Sequence, residues 1–336
     1  MPDGNASIWF EEPGRVAIRR IPMPCPGEGE VLIRTLRTLI SSGTEITMLY
    51  PPDGKDSAWR EFARFPRQAG YSHAGVVDDV GAGVDREWTG RRVASRCRHA
   101  AWVAAKVSDL RPIPERVTAE DATFATLAGV AMNGLRRVRM TFGESVAVFG
   151  LGILGQLTAR IAAAAGAGPV FGVETSALRL SKLPPRPPMY PHAGEFPSLF
   201  EFVRNRTAGR GVDIAVEATG SAPLIPDEAR VLRDHGRLLL LSSPRAPTLF
   251  DFHDLCNRRS ISIVGAHGFS QPAAGSVDYP WTSKRNGDLF LDWLADGRLN
   301  VAELITHRFA YGDAPAAYGL LREGTSEALG VIFDWE

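Results

Sequence analysis

The run GLGILG at 150–155 limits the fold of this chain more than any other stretch. It follows the apolar run SVAVF (145–149) and precedes QLTARIAAAA (156–165). A strand, a glycine turn and an alanine-rich helix open a dinucleotide-binding βαβ unit. Gly150 permits the tight turn. Gly152 lets the backbone approach a pyrophosphate, and Gly155 lets helix and strand pack closely. The N-terminus of the following helix offers unpaired N–H groups to the phosphates, and Ile153 and Leu154 of the turn are further cofactor-binding candidates. The next strand ends at Glu174, 19 residues after Gly155. A carboxylate there accepts hydrogen bonds from ribose hydroxyls and repels a 2′-phosphate. Thr175 follows it and Arg179 is the nearest cation in sequence. The pattern predicts NAD(H) in preference to NADP(H).

Further strands follow in GVDIAVEATG (211–220), GRLLLLSS (236–243) and SISIVGAHG (260–268). Near-continuous apolar strands separated by helical segments indicate a parallel sheet covered on both faces. The segment LPPRPPMYPHAGEFP (183–197) holds six prolines and reads as a surface loop. Before residue 118 the character differs. Short runs rich in Val and Ile alternate with Gly and Pro, the signature of antiparallel strands. TAEDATFATLAGVAMNGLRRV (118–138) reads as one helix with Thr118 at its N-cap. ALGVIFDW (328–335) reads as a closing strand that rejoins the first domain. The expected fold class is therefore α/β, a Rossmann doubly wound parallel sheet plus a mostly antiparallel β domain.

The 38 Lys and Arg balance 38 Asp and Glu, and no basic run stands out. That excludes the electrostatic footprint of a nucleic-acid binder. Cys25, Cys97 and Cys256 lie too far apart in sequence for a zinc or disulfide framework. The N-terminus is too polar for a signal peptide, and no apolar run is long enough for a membrane span. A cytoplasmic protein acting on a small molecule is expected.

Several stretches resemble the medium-chain dehydrogenase/reductase superfamily, the relatives of zinc-type alcohol dehydrogenases. They are PGEGEVLIR (26–34), GVVDDVGAGV (75–84), the glycine turn, GRGVDIAVEATG (209–220) and LITHRFAYGDAPAAYGLL (304–321). LISSGTE (39–45), GYSHAGVV (70–77) and DYPWTSKRN (278–286) are similar to the subgroup around bacteriochlorophyllide dehydrogenase, with its sugar and cyclitol dehydrogenases. The resemblance implies a GroES-like catalytic domain at 1–126 and 298–336, and a Rossmann domain at 127–297. It also implies an active site between them, and homodimers that pair through SISIVGAHG.

Zinc relatives hold the metal with a Cys, a His and a third Cys or acidic residue. The matched positions here are Ser42, Tyr71 and Thr126. None is a good zinc ligand, so no catalytic zinc is expected. The structural-zinc lobe of many relatives is also missing. His73, His99, Cys97 and Glu45 are the candidates for a substitute site. Without zinc, a hydroxyl or imidazole must handle the proton of the substrate oxygen. By resemblance Thr44 occupies the proton-relay position. Tyr71 and Thr44 are expected to bind the substrate oxygen, with Ser42 and Glu45 supporting. His267 is a second candidate acid. The resemblance places Thr219 and Gly220 on the adenosine side, and Ser242, Gly265, Ala266 and His267 by the nicotinamide. Trp281, Lys284, Arg285 and Asn286 suit a polyhydroxylated or phosphorylated ligand, or a subunit contact. The segment at 50–68 is expected to shape the substrate pocket.

The expected activity is a zinc-independent, NAD(H)-dependent interconversion of a secondary alcohol and a ketone on a sugar, cyclitol or related metabolite. A zinc-free enoyl or quinone reductase, and a non-catalytic nucleotide-binding homologue, are the alternatives.

Overall fold

A computed structural model describes residues 4–52, 61–323 and 327–336. Part of the 50–68 segment, residues 53–60, lies outside the described residues. The chain divides into two compact units, Met1–Thr126 with Gly287–Glu336, and Leu127–Asn286. The helix Ser283–Ala295 runs across the second division.

The unit Leu127–Asn286 is built on a six-stranded parallel sheet. Its spatial order is Met189–His192, Val170–Val173, Val146–Phe149, Val212–Glu217, Leu232–Leu240, Ser262–Gly265. Every residue of Val146–Phe149, Val170–Val173 and Val212–Glu217 is buried, which explains their continuous rather than alternating apolar character. One core of this unit gathers Phe149, Phe171, Leu199 and Leu238.

The proline-rich segment corrects the sequence reading. Met189–His192 is not a loop but a strand, parallel to Val170–Val173, with Pro191 opposite Gly172. It is the first strand in the sheet order, and an edge tolerates a missing N–H donor that a central strand does not. The stretch at 118–138 also differs. It forms two helices, Ala119–Ala122 and Ala125–Arg137. Thr118 caps the first, accepting from the Asp121 N–H at 3.0 Å. Thr123 stands at its C-terminal end and donates its hydroxyl to the Glu120 carbonyl at 2.6 Å.

The other unit holds a seven-stranded sheet and a three-stranded sheet. The long strand Glu30–Leu39 pairs antiparallel with His73–Val80, with Trp102–Lys106 and with the closing strand Gly330–Asp334. Among the described residues, only Ile305–Ala310 and Gly330–Asp334 run parallel there. In the strand Arg15–Ile21, residues 17–21 alternate between partly buried and exposed, as a sheet with one wet face requires. One core centres on Phe10, Tyr318 and Phe333, with Phe10 and Tyr318 edge to face at 5.1 Å.

The pairing of Glu30–Leu39 with His73–Val80 puts Thr38 opposite His73. The Leu39 N–H donates to the Ser72 carbonyl at 2.9 Å. LISSGTE and GYSHAG, 25 or more residues apart in the chain, therefore end side by side.

Candidate active site

The cofactor unit carries its expected residues along one edge. Val173, Phe149, Glu217, Leu240 and Gly265 are register partners across five strands, each at or beside the strand's C-terminal end. Gly150, Glu174, Thr219, Ser242 and Ala266 follow directly. The chain order reverses between Val146–Phe149 and Val212–Glu217, and that switch point is where open α/β sheets bind ligands. Gly150 lies there with φ +83°. A Cβ on it would sit 2.9 Å from Thr219 Cγ2, so conformation and space both demand glycine. A Cβ on Gly155 would reach within 1.8 Å of the Gly150 carbonyl oxygen. A Cβ on Gly152 would meet nothing within 4 Å. Gly152 is the N-cap of the helix Ile153–Ala164 and offers no side chain to its N–H groups. The turn is thus closed where helix meets strand and open where a phosphate would approach.

Two buried carboxylates shape this edge. Glu174 Oε1 accepts from the N–H groups of Thr175 at 2.8 Å and Ser176 at 2.9 Å, and from the Thr175 hydroxyl at 3.3 Å. Its Oε2 accepts from the Leu151 N–H at 2.9 Å, with an Arg179 guanidinium nitrogen 3.9 Å away. Oε1 is saturated, so any ribose hydroxyl must bond to Oε2. Arg179 sits in the short helix Ala177–Ser181, which Ser176 caps. Sequence reasoning missed Glu217. It is fully buried, and its Oε1 accepts from the N–H groups of Thr219 at 2.7 Å and Gly220 at 2.8 Å and from the Thr219 hydroxyl at 2.6 Å. The Ser242 hydroxyl donates to its Oε2. One carboxylate therefore ties Thr219, Gly220 and Ser242 together. The signal was a lone acid closing an apolar strand just before Ala-Thr-Gly.

Gly265 ends the edge strand, and its carbonyl accepts from Arg137 Nε at 3.0 Å. Ala266 is buried and its N–H donates to the Leu240 carbonyl at 3.1 Å. His267 is exposed on the turn that follows, in the cofactor unit, and its carbonyl accepts from Ser270.

The other unit brings LISSGTE and GYSHAG together around Tyr71. The Tyr71 hydroxyl donates to Ser41 Oγ at 2.5 Å. Sequence reasoning chose Ser42. The structure gives Tyr71 the neighbouring serine, because Ser41 is the N-cap of the helix Ser42–Leu49 and lies buried while Ser42 is half-buried. Burial and the charge of Glu45 push the Tyr71 phenol up to about 12, against the hydroxyls of Ser41 and Thr44 and the Arg96 guanidinium. Gly70 precedes it with φ +86°, and a Cβ there would fall 2.5 Å from the His99 ring.

Glu45 is fully buried. Its Oε1 accepts from the Ser41 N–H at 2.8 Å, and its Oε2 accepts from the Tyr318 hydroxyl at 2.5 Å and pairs with His99 Nε2 at 3.1 Å. Glu45 thus holds Ser41 from behind. Burial first, and then Glu45, raises the Tyr318 phenol well above its ordinary value. His99 and Tyr318 were not expected in this role. Tyr318 lies 273 residues from Glu45, so no local pattern could reveal it. His73 has its ring nitrogens on the hydroxyls of Thr35 at 3.0 Å and Ser95 at 2.9 Å. Burial, with some help from His99, holds its imidazole down to about 3. Among the described residues, no three His, Cys, Asp or Glu side chains come together to hold a metal.

Curated relatives span most of this chain. It is 24% identical over 360 residues to the L-threonine 3-dehydrogenase of Pyrococcus horikoshii, which covers 96% of this chain and 97% of that protein. It is 25% identical over 302 residues to a probable D-xylulose reductase A of Aspergillus terreus, covering 77% and 79%. These relatives, and solved structures that this chain resembles, are medium-chain, zinc-type alcohol dehydrogenase-like proteins. No family model matches it. The fold of solved dehydrogenases extends over nearly the whole chain. A solved alcohol dehydrogenase from Escherichia coli CFT073, crystallised with NADH, superposes with a TM-score of 0.78 at 18% identity, covering 98% of this chain and 99% of that one. The named relatives are dehydrogenases and reductases. No helix among the described residues is long and apolar enough to cross a membrane.

Proposed function

We propose that this protein is a zinc-independent, NAD(H)-dependent oxidoreductase. It interconverts a secondary alcohol and a ketone on a sugar, cyclitol or related hydroxylated metabolite. The observation that carries the reading is the hydrogen bond from Tyr71 to Ser41, with Tyr71 at a position that, by resemblance, holds a metal ligand in the zinc relatives. Zinc requires thiolate, imidazole or carboxylate donors. Ser42, Tyr71 and Thr126 supply only hydroxyls, and the nearest carboxylate, Glu45, is already bonded to Ser41, His99 and Tyr318. The donor set does not fit the metal.

Bound nicotinamide supplies or accepts the hydride. The chain's own residues manage the oxygen. A phenol held up to about 12 remains protonated throughout the physiological range, so Tyr71 is always loaded as a donor. An alkoxide forming on a reduced ketone is more basic than a phenolate and takes the proton. Hydroxyl hydrogens rotate, so Ser41 and Thr44 turn to donate to the phenolate left behind. The same values make Tyr71 a poor base, which favours ketone reduction. Glu174 supports NAD(H) through the remaining capacity of Oε2 and through its charge. The same reading has the protein in the cytoplasm as a homodimer. Its pairing edge is Ser262–Gly265, the last strand in the sheet order, with Ile263 38% exposed.

The test is a screen of NADH and NADPH against ketones and enones, and of NAD with polyols, alongside metal analysis. Ketone reduction with NADH by metal-free protein is expected. About one equivalent of zinc in active protein, or a clear preference for NADPH, overturns the corresponding part. Tyr71→Phe is expected to lower turnover by about 10²-fold or more with little change in nucleotide affinity. Near-normal turnover removes Tyr71 as the acid.

A further inference from the structure

We infer that the cofactor unit carries an oxyanion site formed by Arg136, Arg285 and Trp281, suited to a phosphate ester on the substrate. That the anion belongs to the substrate rests on the oxidoreductase reading above. The site itself does not.

The helix Ala125–Arg137 presents Asn133 and Arg136, three residues apart on one face, to the segment at 267–286. Asn133 Nδ2 donates to Ser270 Oγ at 3.0 Å, and its Oδ1 accepts from the Tyr279 hydroxyl at 3.2 Å. Arg136 Nε donates to Asn286 Oδ1 at 3.1 Å, and Asn286 is fully buried. These bonds fix the helix, the segment and the Arg136 guanidinium in one arrangement. The Arg136 guanidinium carbon then lies 3.3 Å from the centre of the Trp281 ring, and that of Arg285 lies 4.1 Å from the same ring.

Two cations on one indole are half of an interaction. Cation–π attraction accounts for one guanidinium at a ring, but a second adds repulsion unless an anion is shared. Neither arginine forms an ion pair among the described residues. Each guanidinium has five N–H donors. Arg136 gives one to Asn286, and Arg285 gives one to the Pro280 carbonyl at 3.3 Å. The terminal nitrogens of Arg136 have no other hydrogen-bond partner there. Burial, with Arg285 adding, holds Arg136 down to about 10, which leaves it charged at neutral pH. Forked donors of this kind bind phosphate bidentately. Two positive charges match the charge of about −1.5 to −2 on a phosphate monoester at neutral pH, whereas a single carboxylate leaves one cation unmatched.

Inorganic phosphate is titrated calorimetrically into the full-length protein and into the Arg136→Gln, Arg285→Gln double variant at low ionic strength. Saturable binding to the parent is expected, weakened at least about tenfold in the double variant. Arg136→Lys, which keeps the charge but loses the fork, should fall between them. In the kinetic arm, phosphate should raise KM for a phosphorylated polyol and leave kcat unchanged. Equal affinity in parent and double variant, or no saturable binding, overturns the site. Binding without competition overturns its assignment to the substrate. Arg285→Gln alone changes an exposed side chain and reports on the site even if the double variant unfolds. If no alcohol or ketone is turned over, the calorimetric result still decides the site.

Discussion

Three buried carboxylates organise this protein, and they work differently in its two units. In the cofactor unit, Glu174 and Glu217 accept mainly from backbone N–H groups, with the hydroxyls of Thr175 and Thr219 nearby and that of Ser242 from the next strand. They set the course of loops. In the other unit, Glu45 takes one backbone N–H and otherwise binds the side chains of His99 and Tyr318. It sets the position of a hydroxyl pair. The cofactor edge is thus a shaped backbone, and its sensitivity should lie in glycines. The Tyr71 site is a set of side chains, and its sensitivity should lie in polar atoms.

Gly155→Ala is the most severe test of that contrast. Its Cβ would overlap the Gly150 carbonyl oxygen at 1.8 Å, with backbone on both sides. A loss of more than about 4 kcal/mol is expected, read by urea unfolding or as failure to fold. Gly152→Ala, three residues earlier, should leave unfolding within about 0.5 kcal/mol, since its Cβ meets open space and its φ of −61° suits any residue. Its effect should appear as weaker nucleotide binding. If both variants behave alike, the cofactor turn is not divided into a packed half and an open half.

Glu45→Gln comes next. The amide keeps the shape but cannot accept at both oxygens, so it misplaces a donor against Ser41, His99 or Tyr318. A cost of about 1–3 kcal/mol is expected, together with lower turnover, because Ser41 loses its anchor behind Tyr71. Unchanged stability would mean that Glu45 does not hold the hydroxyl pair.

A pH dependence is the remaining test. The His73 imidazole is held near 3 in the fold against 6.5 for an ordinary histidine. Its folded value is depressed, so between these values the unfolded chain binds more protons. Its contribution is present above pH 6.5 and is lost as pH falls toward 3. Melting temperature should therefore drop between pH 7 and pH 5, and His73→Asn should flatten that drop. A variant with the same slope as the parent assigns the acid sensitivity elsewhere.

Much of the cofactor unit was legible in the chain. Its strands are buried on both faces and read as apolar runs, and its glycine turn is a local pattern. The proline-rich segment escaped because an edge strand obeys looser rules than a central one: Pro191 lacks an N–H, and at the edge that donor is not needed on both sides. Glu217 escaped because strand register, not sequence, sets it beside Ser242. In the other unit the chain brought Tyr71 and the serines into one neighbourhood, and the fold gives the Tyr71 hydrogen bond to Ser41 rather than to Ser42. Ser41 and Ser42 are equivalent as letters. Which one is buried depends on where the helix Ser42–Leu49 begins and how it packs.

By itself, then, the sequence determined the glycine turn at 150–155 and the parallel sheet behind it. Those features rest on backbone conformation and on periodicity within a few residues. The tertiary structure alone decided the polar network at Tyr71. Its partners lie 30 residues away for Tyr71–Ser41, 54 for His99–Glu45 and 273 for Tyr318–Glu45. Hydrogen bonds act over about 3 Å, and only the folded sheets bring such distant groups within that reach.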